Sequence, residues 1–245
     1  MRTTLAHVQD TLLAWFARHG RDLPWHRTRD PYAILVSEVM LQQTQVERVI
    51  PYYERWTKRW PTVEALAAAP AAEVIRAWQG LGYNRRALNL QRAAQLIAEK
   101  GWPEDLTELP GVGRYTADAV SHFAYGEAVL PRDTNVRRVE ERTGGVFAPE
   151  CAQALMDLGA MICLARTPRC GECPLAEQCP SCGMSFTPER KQPPFEGSFR
   201  QRRADALRLV ASSPRPLAEL DQEAIASLEC DGLVTVADGV AALPA

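Results

Sequence analysis

No stretch of the 245 residues approaches the roughly 18 uninterrupted apolar positions of a membrane span. The N-terminus, Met1-Arg2-Thr3-Thr4, leads into an amphipathic segment instead of the apolar core of a signal peptide. A membrane or secreted protein is not expected. Lysine is scarce: Lys58, Lys100 and Lys191 are the only three among 28 basic residues. Convincing polar–apolar alternation is missing before residue 230, as are internal repeats and low-complexity runs, which excludes a β-rich or fibrous body. What remains is an ordinary globular composition, 46% apolar and 24% charged. The length admits one large domain or two modest ones.

A net charge of −2 argues at first against a nucleic-acid binder, but it averages unlike parts. Residues 205–245 carry seven acids against Arg208 and Arg215, a net of −5, which leaves +3 on residues 1–204. Arginine suits bidentate phosphate contacts, yet a body this mildly basic decides nothing by charge alone.

Helical periodicity dominates residues 1–165. Leu5, Val8, Leu12, Leu13 and Phe16 recur at helical spacing. Asp30-Pro31 reads as a cap followed by proline at the first helical position, opening a helix with Ile34, Leu35, Val39 and Met40. Thr62 is expected to cap a short alanine helix, and Gly80 to end the next one. After Cys182 the chain turns to linker composition over residues 186–197. Beyond it, three helical segments and two short strands flanking Ala237-Asp238-Gly239 suggest a small winged-helix-like module over 198–245.

The cysteines are unevenly placed. There are seven, and five fall in the 20 residues from Cys163 to Cys182. A disulfide scaffold would spread them, so a metal or cluster site in a reducing compartment is the better reading. The spacing Cys163-x6-Cys170-x2-Cys173-x5-Cys179 can hold iron–sulfur or zinc. A zinc site would pair Cys170/Cys173 with Cys179/Cys182, but only five residues separate the pairs, against roughly 15–20 in zinc ribbons.

Other segments carry chemistry of their own. In Leu109-Pro110-Gly111-Val112-Gly113, two glycines tighten a turn and bare backbone N–H groups at a helix start, a nest for phosphate. Glu38 lies among Ile34, Leu35, Val39 and Met40, where desolvation would raise a carboxyl pKa and suit it to proton donation. Asp133 fits an N-cap for the helix of Val136 and Val139.

Over roughly residues 8–180 the chain resembles the helix-hairpin-helix DNA glycosylases related to endonuclease III, and within them the MutY-type adenine DNA glycosylases. The matching segments are Leu23-Pro24-Trp25, Asp30-Pro31-Tyr32, the run Val36 to Gln45, and Gly80-Leu81-Gly82-Tyr83. Leu109 to Ala117, Asp133 to Val136, Leu155 to Ala160 and the cysteine spacing complete the match.

The resemblance implies an all-α, two-lobed fold with a 4Fe–4S cluster on Cys163, Cys170, Cys173 and Cys179. A cluster lobe (1–27 and 133–185) and a helical-barrel lobe (28–132) would enclose the base pocket, with Arg166 and Arg169 of the cluster loop facing phosphate. Glu38 would protonate a flipped adenine, Asp133 would support the cationic sugar, and Asn135 and Tyr115 would position them. Strand-cutting relatives place a lysine nucleophile where this chain has Tyr115, which implies a monofunctional enzyme. Gln42 and Gln43 face DNA in this reading, and Gln43 and Tyr83 wedge into the duplex as the base leaves. Arg21, Trp25 and Gln153 line the base pocket, and Gly111 and Gly113 grip the backbone.

Several departures bear on specificity. His26 stands where the family has a pocket-side arginine, Asn84 replaces a second tyrosine, and Thr134 replaces a glycine. Only 18 positions separate Asn135 from Gln153, fewer than the family carries. Residues 198–245 leave no room for the family's Nudix-like domain that reads oxidised guanine. The function expected is excision of adenine opposite 8-oxoguanine or guanine in double-stranded DNA, by a monomer in the bacterial cytoplasm and nucleoid. Removal of mismatched thymine or uracil, or a catalytically dead DNA-binding protein, are the alternatives.

Overall fold

The computed structural model describes residues 5–187 and 193–245, so residues 188–192 of the expected linker lie outside the described residues. The first half of the chain builds α1 (Leu5–His19), α2 (Pro31–Leu41), α3 (Val46–Arg59), α4 (Val63–Ala67), α5 (Ala71–Trp78) and α6 (Arg85–Lys100). Then come α7 (Arg114–Tyr125), α8 (Thr134–Thr143), α9 (Ala152–Met161), α10 (Phe199–Ser212) and α11 (Gln222–Cys230). Three short strands, β1 (Arg215–Pro216), β2 (Thr235–Ala237) and β3 (Val240–Ala242), lie near the C-terminus. No described helix is long and apolar enough to cross a membrane.

Local chemistry sets the helix ends. Pro31 opens α2, where its missing N–H has no helical partner to lose. The Thr62 hydroxyl accepts from the Ala65 N–H at 3.2 Å, capping α4 as expected. Gly80 follows α5 with φ +100°, a left-handed turn that glycine adopts without strain. α2 buries every side chain from Tyr32 to Met40, Ser37 and Glu38 among them, so it is a core helix and not an amphipathic one.

The contacts divide the chain into two compact units, 1–31 with 114–191 and 32–113 with 192–245. The first is built on Leu12, Trp15, Val136, Val139, Leu155 and Leu158. Tyr115 and Phe123 of α7 pack against this core and Leu130 belongs to it. Residues 114–132 therefore go with the cysteine loop, whereas the sequence reading assigned them to the barrel lobe. In the second unit, Trp56 packs edge-on against Trp60 and Trp78, with ring centroids 4.7 and 5.4 Å apart.

The C-terminal segment has the expected order of helices and hairpin, with a single 3-10 turn at Leu217–Glu219 as its middle helical element. β3 pairs antiparallel with both neighbours, giving the sheet order β1-β3-β2. Asp238 and Gly239 both take positive φ in the two-residue turn, as a type I′ hairpin requires. Its core is not self-contained. Leu207, Val210, Ile225 and Leu228 share a cluster with Ile75 of α5 and Leu88 of α6, so the module is part of the second unit. Its acids are largely engaged within that unit: Arg202 pairs with Asp221 and Glu223, and Arg203 with Asp231.

Candidate functional site

In the first unit, Asp133 is the N-cap of α8. Its Oδ1 accepts from the Val136 N–H at 2.7 Å and its Oδ2 from Asn135 Nδ2 at 2.8 Å. The cap that starts the helix thus also fixes the carboxylate's rotamer. Asn135 is held in turn by Arg138, whose Nη2 donates to Asn135 Oδ1 at 2.6 Å and to the Gly159 carbonyl at 2.7 Å. Arg138 Nε donates to the Cys163 carbonyl at 2.7 Å. A continuous hydrogen-bonded path therefore runs from the aspartate to the cysteine loop. α9 can approach α8 this closely because residue 159 is glycine: a Cβ there would lie 2.5 Å from Asn135 Cβ.

Cys163, Cys170, Cys173, Cys179 and Cys182 line one pocket partly open to solvent, backed by Val139, Leu158 and Ile162. Burial, with the neighbouring thiols, pushes the Cys173 thiol up to about 11, and burial also raises Cys179. Four such thiolates stay together only around a cation, which deprotonates its ligands outright. Arg142 braces the loop, donating to the Leu164 and Ala165 carbonyls at 2.7 Å each and to Cys163 Sγ at 3.4 Å. Among the described residues, no three His, Cys, Asp or Glu side chains are arranged to hold a single metal ion. Thiols spread around one pocket, and not converging on a single point, suit a polynuclear cluster.

The same unit places Arg21, Trp25, His26 and Gln153 around one buried carboxylate or beside it. Asp157 is fully buried and accepts from the Arg21 backbone N–H at 2.7 Å, from its Nε at 3.0 Å and from its Nη2 at 2.7 Å. Gln153 Nε2 reaches the same carboxylate at 3.4 Å. Trp25 is buried in a short 3-10 turn with His26 edge-on beside it. His26 Nδ1 bonds the Arg21 carbonyl at 3.0 Å, and burial pushes the imidazole pKa below its ordinary value. Since a carbonyl only accepts, Nδ1 carries the proton.

In the second unit, Glu38 is 6% exposed on the core helix α2. The loop after α2 presents Gln43, exposed, at φ +54°, and Tyr83 stands 45% exposed at φ +47°. Gln42 Nε2 reaches the Gly111 carbonyl at 3.5 Å. In the turn before α7, the Val112 N–H donates to the Leu109 carbonyl at 3.1 Å and Val112 is buried. Gly111 has φ +78°, and a Cβ on Gly113 would meet nothing within 4 Å. The turn is anchored by valine and exposes its glycines.

Comparison with known proteins gives these positions a context. Residues 36–158 match the HhH-GPD superfamily of base excision DNA repair proteins, and residues 163–179 match the iron–sulfur binding domain of endonuclease III. Over 97% of this chain and 94% of the relative, it is 42% identical to the adenine DNA glycosylase of Mycobacterium tuberculosis. The chain belongs to the adenine DNA glycosylase family. The human adenine DNA glycosylase is 38% identical over 69% of this chain and 38% of its own length. Among solved structures, a thermostable thymine-DNA glycosylase superposes with TM-score 0.66 at 28% identity, over 72% of this chain and 95% of that one. A trapped endonuclease III–DNA covalent intermediate at 24% identity shares the fold.

As a member of this family the protein is a DNA N-glycosylase of base excision repair, and its cofactor is a 4Fe–4S cluster. Sequence reasoning missed four polar residues of these sites: Arg86, Arg138, Arg142 and Asp157. Arg86 left a signal, because it occupies the buried stripe of α6 with Leu90, Ala93 and Ile97, where a charge needs a reason. Burial pushes its guanidinium down to about 10, so it remains charged at neutral pH.

Proposed function

We propose that the protein hydrolyses the N-glycosidic bond of adenine standing opposite guanine or 8-oxoguanine in duplex DNA, acting as a monomer without cutting the strand. The observation that carries this is Glu38, a carboxyl 6% exposed on a helix with no other acidic residue. Desolvation disfavours the charged form of such a group. In this reading Glu38 delivers a proton to a ring nitrogen of the flipped base, so that adenine leaves as a neutral group. Asp133, fixed by the Val136 N–H and Asn135, supports the positive charge that develops on the sugar. Tyr115, two residues after Gly113 in the sequence, offers no amine for a Schiff base.

Cys163, Cys170, Cys173 and Cys179 would hold the cluster, which crosslinks the loop bearing Arg166 and Arg169. Arg21, Trp25, His26 and Gln153 would shape the base pocket. Gly111 and Gly113 would take phosphate without reading sequence. The near-full-length relatives are bacterial, which supports action on chromosomal DNA in the cytoplasm and nucleoid.

The 28% identity to a thymine-DNA glycosylase favours a second reading, removal of mismatched thymine. Four duplexes separate the two: A:8-oxoguanine, A:G, T:G and U:G, assayed for free base and for strand breaks with and without alkali. Adenine release with breaks only after alkali is expected. Thymine release without adenine release would establish the second reading.

A further inference from the structure

Of the three described non-glycine residues with positive φ, Asp238 is explained by its hairpin turn, and the other two are Gln43 and Tyr83. Left-handed backbone is unfavourable for such residues and persists only where the surroundings enforce it. One side chain contacts the chain on both sides of Gln43, and at Tyr83 and the two residues before it. Arg86 Nη1 donates to the Gln42 carbonyl at 2.6 Å, and to the Val39 and Met40 carbonyls at 2.8 and 3.0 Å. Its Nη2 donates to the Thr44 hydroxyl at 3.1 Å, to the Leu81 carbonyl at 3.2 Å and to the Gly82 carbonyl at 2.9 Å. Nε reaches the Tyr83 carbonyl at 3.4 Å, and the guanidinium lies 5.6 Å from the Tyr83 ring centroid.

Arg86 therefore satisfies the open carbonyls at the end of α2 and those of the 81–83 loop at once. Only a planar fork with five donors can do this; an ammonium has three, all on one atom. A second link joins the loops through the Thr44 hydroxyl and the Leu81 carbonyl, 3.4 Å apart.

We infer that Arg86 is a positioning residue that sets the Gln43 and Tyr83 loops as one rigid edge for insertion into the duplex during base flipping. This rests on the proposed placement of Gln43 and Tyr83 against DNA. Arg86 touches no base itself; it fixes the backbone from which two separate side chains enter the stack together. A misplacement of about 1 Å in such an edge costs on the order of 100-fold in rate.

The test is a mutant cycle on full-length, cluster-bearing protein. Single-turnover adenine excision and the fluorescence of 2-aminopurine at the target position are measured for four proteins: wild type, Arg86→Lys, Gln43→Ala/Tyr83→Ala, and all three substitutions together. Arg86→Lys is expected to lower excision and flipping by about 100-fold. In the Gln43→Ala/Tyr83→Ala background its further effect should shrink to within about twofold, because the side chains it positions are gone. An equal fall in both backgrounds means Arg86 only supports the fold, and overturns the inference. If the Gln43→Ala/Tyr83→Ala protein flips and excises like wild type, the placement of those residues at DNA fails, and the inference with it. Should Arg86→Lys not accumulate as folded protein, Thr44→Val removes one arm of the clamp. A loss of roughly tenfold or less is then expected, confined to the background that keeps both side chains. A loss equal in both backgrounds, or none, overturns the inference.

Discussion

Replacing Gly159 by alanine tests how Asp133 is held. The added Cβ would lie 2.5 Å from Asn135 Cβ, 3.0 Å from its Cα and 3.1 Å from its carbonyl oxygen. Ordinary carbon–carbon contact is about 3.5–4.0 Å. Because two of the three atoms are backbone, no rotamer change relieves the clash, and α8 and α9 must separate by about 1 Å. Of the bonds that hold the carboxylate, the one from Arg138 to the Gly159 carbonyl, 2.7 Å long, crosses between the two helices and stretches out of range. Arg138, which holds Asn135 and through it Asp133, then loses one of its anchors. Overpacking of this kind costs about 1–3 kcal/mol, and each kcal/mol lowers Tm by roughly 2–4 °C in a chain of this size. Single-turnover adenine release should fall by about 100-fold, in line with a 1 Å misplacement of a reacting group. Affinity for undamaged duplex should hold, because the glycine turn lies in the other unit. The assay is a thermal melt beside quench-flow excision. A Gly159→Ala protein with wild-type Tm and a rate within about threefold of wild type would refute the reasoning.

Three further outcomes follow from the geometry. Gly113→Ala should leave Tm unchanged, since its Cβ meets nothing within 4 Å, yet weaken duplex binding by roughly tenfold as the N–H nest is obstructed; filter binding and a melt check both. Asp157→Asn removes the charge facing a partly buried Arg21, and breaking such a pair costs about 3–5 kcal/mol. With the Arg21 side chain 25% exposed and able to reach water, the lower end of that range is expected in urea unfolding. The His26 pKa is held below its ordinary value of 6.5 by burial, so the unfolded chain binds that proton more readily. Stability should be full above 6.5 and fall as pH drops below it toward the folded-state pKa, and His26→Gln should flatten that limb; equal slopes would contradict the assignment.

Much of the candidate site could be read from the chain because its chemistry is local. Asp133 announces itself as an N-cap three residues before Val136, and the cap geometry is also what orients its carboxylate. Glu38 sits in an apolar run, and burial follows from the run itself. The glycine turn and the cysteine spacing are likewise contiguous signals. What could not be read is non-local. Periodicity shows that α7 has an apolar face, but not that Tyr115 and Phe123 turn it toward the core of Val136 and Leu155. The C-terminal module reads as thin because its core is completed by Ile75 and Leu88, more than a hundred residues earlier. Arg86 and Arg138 hold loops distant in sequence, and a buried arginine looks like any other until its acceptors are in place.

The central claim is that the buried Glu38, acting as proton donor, drives adenine out of a duplex. It is tested most directly by single-turnover release of free adenine from an A:8-oxoguanine duplex, with wild type and Glu38→Gln compared at matched occupancy. The account predicts release by wild type, and loss of release in Glu38→Gln with duplex affinity and cluster absorbance intact. Release by Glu38→Gln at the wild-type rate, or none by the wild type, would contradict it.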